Sequence, residues 1–315
     1  MGAPETPRLP SPAAGTVHGA VPNSQLDTLA VSVLVGCCLA LGLAQVAIKV
    51  ANTGISPLLQ AGLRSIGATA LLLAWARFRG VRLLARDGTL LPGLAVGILF
   101  AGEFAFLYVG LEHTTASRAV VLLYTAPLLV AAGAHLWLPA DRLTAVKVLG
   151  LAAAFAGVLV VLLSGRAGGA GTGTLAGDLL CLVAAVCWGG LTLVGRATRL
   201  SAAAHEKVVL YQLGVSALLL PLLSLAFGEP GFKTPSVAAL AALAYTIVIV
   251  AFVVYTAQYW LLTRYPASRV MSFMFLAPVF GVMWGGLILD EPLTRELWIG
   301  LAMVAVGIWL VNRRA

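Results

Sequence analysis

The 315-residue chain carries a net charge of +8, yet only 10% of its residues are charged and 60% are hydrophobic. A soluble domain charges about a quarter of its residues. With a mean hydropathy of +0.99, this chain lacks the residues to cover a water-facing surface, and its basic residues sit in short gaps between apolar runs, as in membrane loops and unlike a nucleic-acid surface.

Residues 1–27 are rich in Pro, Gly, Ala and Ser and lack hydrophobic periodicity, which predicts a disordered cytoplasmic tail. Its one fixed positive side chain, Arg8, argues against a cleaved signal peptide. Ten apolar runs follow, over residues 28–51, 57–76, 89–110, 116–138, 144–163, 175–195, 206–227, 236–262, 267–289 and 296–312. Each approaches the roughly 20 residues a crossing needs. The runs are continuous rather than alternating, so the expected fold is an all-α polytopic membrane protein of ten transmembrane helices. A Gly-rich linker, 164–174, divides it into units 28–163 and 175–312.

The two units read as copies. Ala116-Ser117-Arg118 returns as Ala267-Ser268-Arg269, and Ala126-Pro127 as Ala277-Pro278. Leu143-Thr144 returns as Leu293-Thr294, and Gly150 and Gly157 as Gly300 and Gly307. An ordered match of this length predicts an internal duplication. Five helices per copy is an odd number, so the second copy enters the membrane from the opposite side and the repeat is inverted. Ser117 and Ser268 are expected N-caps. Pro127 and Pro278 each delete a backbone hydrogen bond near mid-membrane and are hinge candidates. The spaced glycines suit close helix packing.

Charge bias sets the expected orientation. With the N-terminus inside, Arg77, Arg79, Arg82 and Arg86 of one cytoplasmic loop nearly match all the outer basic residues: Lys49, Arg118, Arg166, Lys233 and Arg295. Both termini are then cytoplasmic.

Polar residues inside the runs are the candidate pathway. Arg64 and Glu103 each lie seven residues from an outer helix end, roughly 10 Å deep, on adjacent helices. An ion pair is feasible there, either as a packing device or as a working carboxylate and cation in a wet cavity. Gln45 and Lys49 share one face of the first helix, and Tyr255 and Gln258 one face of the eighth. Tyr124, Trp188, Tyr211 and Gln212 complete the set. Cys37, Cys38, Cys181 and Cys187 lie in apolar runs without metal spacing and read as small buried hydrophobes. No enzyme motif appears, and no cofactor or metal site is expected.

The segment Tyr108-Val-Gly-Leu-Glu-His-Thr-Thr-Ala-Ser-Arg-Ala-Val with Ala126-Pro127 resembles the third-to-fourth-helix signature of the EamA family of drug/metabolite transporters. The stretch from Tyr259 to Pro278, the turn Asp290-Glu291-Pro292-Leu293-Thr294 and Trp188-Gly189 are similar to that family too. In the first copy, Pro139-Ala-Asp-Arg142 replaces the Glu-Pro turn. The resemblance implies a ten-helix secondary carrier with a central cavity, exporting amino acids or related metabolites from a bacterial inner membrane by alternating access. The implied partners are a small-molecule substrate, the lipid bilayer and a proton as candidate coupling ion, with no nucleic acid and a monomer or weak homodimer. The alternatives are a membrane-embedded enzyme, which lacks clustered catalytic groups here, and a non-transporting scaffold.

Overall fold

A computed structural model describes residues 27–80, 87–137, 144–164, 173–265, 270, 273–274 and 276–312. The Gly-rich 165–172, the Pro139–Arg142 turn and Ser268-Arg269 lie outside the described residues, as does the tail up to residue 26. The helices are α1 (Thr28–Asn52), α2 (Pro57–Arg79), α3 (Leu90–His113), α4 (Ala116–Leu123), α5 (Ala126–Trp137) and α6 (Ala145–Ser164). They continue with α7 (Leu175–Ala197), α8 (His205–Ala226), α9 (Val237–Tyr245), α10 (Tyr255–Arg264), α11 (Leu276–Leu289) and α12 (Arg295–Asn312). A π-helical stretch, Thr246–Val254, joins α9 to α10. No strand occurs among the described residues. Among the described residues eight stretches are long and apolar enough to cross a membrane, counting α4–α5 as one and running α9 through to Gln258; α11 is apolar but shorter.

The fourth apolar run is two helices, not one. Pro127 has no N–H for the Leu123 carbonyl, and its ring crowds that turn, so α4 stops at Leu123. Thr125 repairs the break: its Oγ1 donates to Leu122 O at 2.6 Å, and its carbonyl accepts from Leu128 N at 2.9 Å. Near Pro278, Met274 forms a turn and α11 begins at Leu276. The N-cap of α4 is Thr115, whose Oγ1 accepts from Arg118 N at 3.1 Å. Ser117, the expected cap, points elsewhere. The expected tail ends with Asp27, which caps α1 by accepting from Ala30 N at 2.8 Å.

Helices pair across the chain: α6 with α12, α3 with α7, α2 with α8, α1 with α9 and α11, and α4 with α7 and α11. The α6–α12 seam shows why glycine recurs. A Cβ on Gly150 would lie 2.7 Å from Gly307 O, and one on Gly157 would lie 2.8 Å from Gly300 O. Backbone therefore touches backbone, which in lipid supplies the packing that hydrophobicity cannot. Gly157→Ala is expected to force the helices apart at a cost of about 1–3 kcal/mol, measured by denaturant unfolding in detergent; a neutral result would show that the seam yields.

Candidate functional site

The polar interior is concentrated on α1–α3. Gln45 and Asn52 of α1, Gln60, Arg64 and Ser65 of α2, and Glu103 and Tyr108 of α3 are all buried. The Asn52 amide donates to Tyr108 O at 3.0 Å and that of Gln60 to Ile48 O at 3.4 Å. Their own oxygens, Asn52 Oδ1 and Gln60 Oε1, have no partner, and neither do Gln45 Oε1, Ser65 Oγ and Arg64 Nη1. Buried polar atoms are satisfied nine times in ten or more, so a cluster of orphans on adjacent helices is a marker for water or ligand.

Arg64 and Glu103 sit at the centre of this set. They are 6% and 7% exposed, yet no ion pair within 4.0 Å joins them. Arg64 instead lays its guanidinium over the Phe104 ring, 4.1 Å from the centroid. Its charge still reaches both the Glu103 carboxylate and the Tyr108 hydroxyl. Glu103 makes no hydrogen bond among the described residues. A cation–π contact returns about 2 kcal/mol when desolvated, less than burying a lone charge costs. The arrangement is therefore an open valence, not a closed structural bridge.

The other candidates separate. Lys49 donates to the carbonyls of Leu111, at 3.3 Å, and Thr114, so its ammonium closes the C-terminus of α3. Tyr124, at the α4–α5 break, packs edge-on against Trp188 at 5.7 Å. Gln258 donates to Met274 Sδ at 3.3 Å. Tyr255 stacks on His205 at 5.1 Å. Those two, with Trp75, Glu206 and Phe252, line a cavity of about 30 Å³, room for about two waters. Tyr211 lies within 3.3 Å of Thr89 Oγ1 at the same end of the bundle, and Gln212 follows it, half-buried.

That end is tied by Asp87, which accepts from Lys207 Nζ at 2.7 Å and from Thr89 N at 3.1 Å. The Lys207 ammonium, aided by Thr89, holds the Asp87 carboxyl down at about 2. A carboxyl depressed on folding stabilises above its ordinary range near pH 4 and loses that contribution as pH falls towards 2. Asp87→Asn is expected to lower the melting midpoint at pH 6 and to match the wild type at pH 2; an equal deficit at both would remove the charge from the account.

The opposite end holds Asp178, which the sequence did not single out, and supplies partners to Arg118, Ser117 and Glu291, which it did. Asp178, in the first turn of α7, pairs with Arg118 and accepts from Thr114 Oγ1 at 2.6 Å. Arg118 also donates to Ser164 Oγ at 3.2 Å. Arg118 is thus neutralised inside the protein rather than left as a loop charge. Glu291 receives three bonds from the start of α4: Ala116 N at 2.6 Å, Ser117 N at 2.9 Å and Ser117 Oγ at 2.7 Å. Glu229 similarly accepts from Leu58 N and Leu59 N at the start of α2, at 3.1 and 3.2 Å. The one advance signal was chemical. A carboxylate in a turn after an apolar helix suits a free helix N-terminus, but nothing in the chain order says which one.

Fold and site together define an all-helical integral membrane protein with a polar, unsatisfied interior. The model of the EamA-like transporter family matches residues 28–163 and again 175–313, and the chain belongs to that family. It is 28% identical over 265 residues to the uncharacterized transporter YvbV of Bacillus subtilis, covering 82% of this chain and 83% of that protein. It is 27% identical over 271 residues to an uncharacterized transporter of Archaeoglobus fulgidus, covering 85% and 91%. The uncharacterized inner membrane transporter YedA of Escherichia coli is 23% identical, with 81% of each chain covered. A solved crystal structure at 21% identity superposes with a TM-score of 0.63 over 90% of this chain and 97% of that one, a likeness of fold.

Proposed function

We propose that this EamA-family protein is a secondary active transporter that exports small zwitterionic metabolites, amino acids or related compounds, across a bacterial inner membrane. One observation carries the reading: Arg64 and Glu103 are buried beside each other with no ion pair or hydrogen bond among the described residues. Arg64 Nη1 lacks an acceptor, while Gln45 Oε1, Asn52 Oδ1, Gln60 Oε1 and Glu103 lack donors. A solute with one carboxylate and one ammonium meets both demands, and water meets them between loads. Glu103, the one acid in the cluster, is also the candidate for proton coupling.

The transport cycle on this reading is alternating access by an inverted pair of five-helix units that make ten crossings. Two matches of one family model support the duplication. So does the pairing of three of the five proposed repeat mates with their counterparts: α2 with α8, α4 with α11, α6 with α12. The termini and the Asp87 end are assigned to the cytoplasm and the Asp178 end to the outside. Gln45, Tyr124, Trp188 and Tyr255 flank the route, and the break before Pro127 supplies one hinge, with Pro278 as its counterpart.

The test is counterflow in proteoliposomes of the purified chain, screened against amino acids, sugars and nucleobases. Exchange of an unmodified zwitterion, with pH dependence lost in Glu103→Gln, is the expected result. Absence of exchange for every solute would remove the carrier reading.

A further inference from the structure

We propose that α4 is the outer gate and that Glu291 is its latch, an inference that rests on the carrier reading above. Each of the eight residues of α4 is buried, so the segment fills the centre of the bundle. Its inner end is a break at Tyr124–Thr125, where Pro127 interrupts the ladder. Its outer end is held by side chains from other elements: Asp178 of α7 on Arg118, and Glu291, from the loop before α12, on Ala116 and Ser117. A short helix that is unhinged at one end and clamped by carboxylates at the other has its position set by the clamps.

The latch has the chemistry of a reversible contact. Among the described residues Glu291 meets two amides and a hydroxyl, with no ion pair within 4.0 Å; the Lys49 ammonium acts on it only through space. It offsets the positive end of the α4 dipole, and released amides at the outer end meet water instead. The neighbouring α11 surface is bare of side chains where α4 and Glu291 rest on it. A Cβ on Gly285 would press on Glu291 Oε2 at 2.6 Å, and one on Gly281 would press on Val120 Cγ1 at 2.9 Å. Ser117 adds the bond that fixes which face of α4 is presented. The Arg118–Asp178 pair acts as the deeper clamp, and Glu291 as the one that solvent can compete with.

Two native thiols read the gate. Cys181 lies about 5 Å and Cys187 about 13 Å along α7 from Asp178, and Cys187 Sγ packs on Gly102, the neighbour of Glu103, where an added Cβ would lie 3.3 Å from it. Single-cysteine proteins keeping one of these, with the other three cysteines changed to serine, are expressed in whole cells and treated outside with a sulfonated maleimide. Glu291→Ala is expected to raise labelling of both thiols by about tenfold. Glu291→Gln and Ser117→Ala should raise it less, in the same direction. Fraying of α4 alone would raise Cys181 and leave Cys187 unchanged; that pattern, or no rise in any of the three variants, overturns the gate. Should Glu291→Ala not reach the membrane, the two milder variants decide by the same criterion. Latch-dependent labelling in a protein that exchanges no solute would sink the carrier reading while leaving the moving segment in place.

Discussion

Arg64→Leu is expected to cut solute exchange by at least about 100-fold while leaving the protein as stable as the wild type or more so. The two effects come from one fact. The Arg64 side chain is 6% exposed and returns only a cation–π contact with Phe104 for its desolvation. Replacing a buried, unpaired charge with an apolar side chain is neutral or stabilising. A group kept only for packing would show the reverse, with a lower melting midpoint and normal flux. The size of the loss follows from a charge-assisted, two-pronged contact to a carboxylate, about 3 kcal/mol and hence about 100-fold. Arg64→Lys keeps the charge but not the planar fork, so it should restore part of the rate and none of the selectivity between carboxylates and other anions. Flux within about twofold of wild type in Arg64→Leu would show that the solute is held elsewhere.

Depth was legible in the sequence only as far as the helix ends were, and azimuth was not legible at all. Arg64 lies seven residues into α2 as expected, but α3 runs past Gly110 to His113, so Glu103 lies ten residues from its end, about 15 Å along the axis rather than about 10 Å. Whether two side chains at one level meet depends on how each helix is rotated about its axis. That is set by packing, and here it turns Arg64 onto Phe104. Strictly local effects were equally legible. Pro127 ends α4 four residues upstream because the chemistry involves only those atoms, although its position alone did not say whether the result would be a kink or a break. Ser117 shows the limit of local rules. Thr115 two residues earlier takes the cap, and the Ser117 hydroxyl is drawn to a carboxylate 174 positions away in the chain. Asp178 failed to stand out for the same reason, and Lys49 and Arg118 stood out without their partners. Each finds its partner on another helix, and a hydropathy pattern records only whether a residue suits lipid.

Asp178→Ala is expected to destabilise the protein by about 3–5 kcal/mol, the largest single loss of stability predicted here. Asp178 is 1% exposed and Arg118 7%, so truncation strands a guanidinium where water does not reach. Arg118 would retain its bond to Ser164 Oγ, and Thr114 Oγ1 would lose its acceptor. The cost therefore belongs to the orphaned charge rather than to the missing contact. The double variant Arg118→Leu/Asp178→Leu separates the two, since it removes both charges and should recover most of the stability, with a coupling energy of a few kcal/mol in the double-mutant cycle. Lys233 and Glu112 form the comparison: their ion pair spans 3.3 Å, but the side chains are 38% and 31% exposed, and Glu112→Gln should fall within about 1 kcal/mol of wild type. If Asp178→Ala behaved like Glu112→Gln, the Asp178 end would have to be open to water in the resting protein. α4 would then need no clamp, because solvent would already be where the gate is supposed to keep it out.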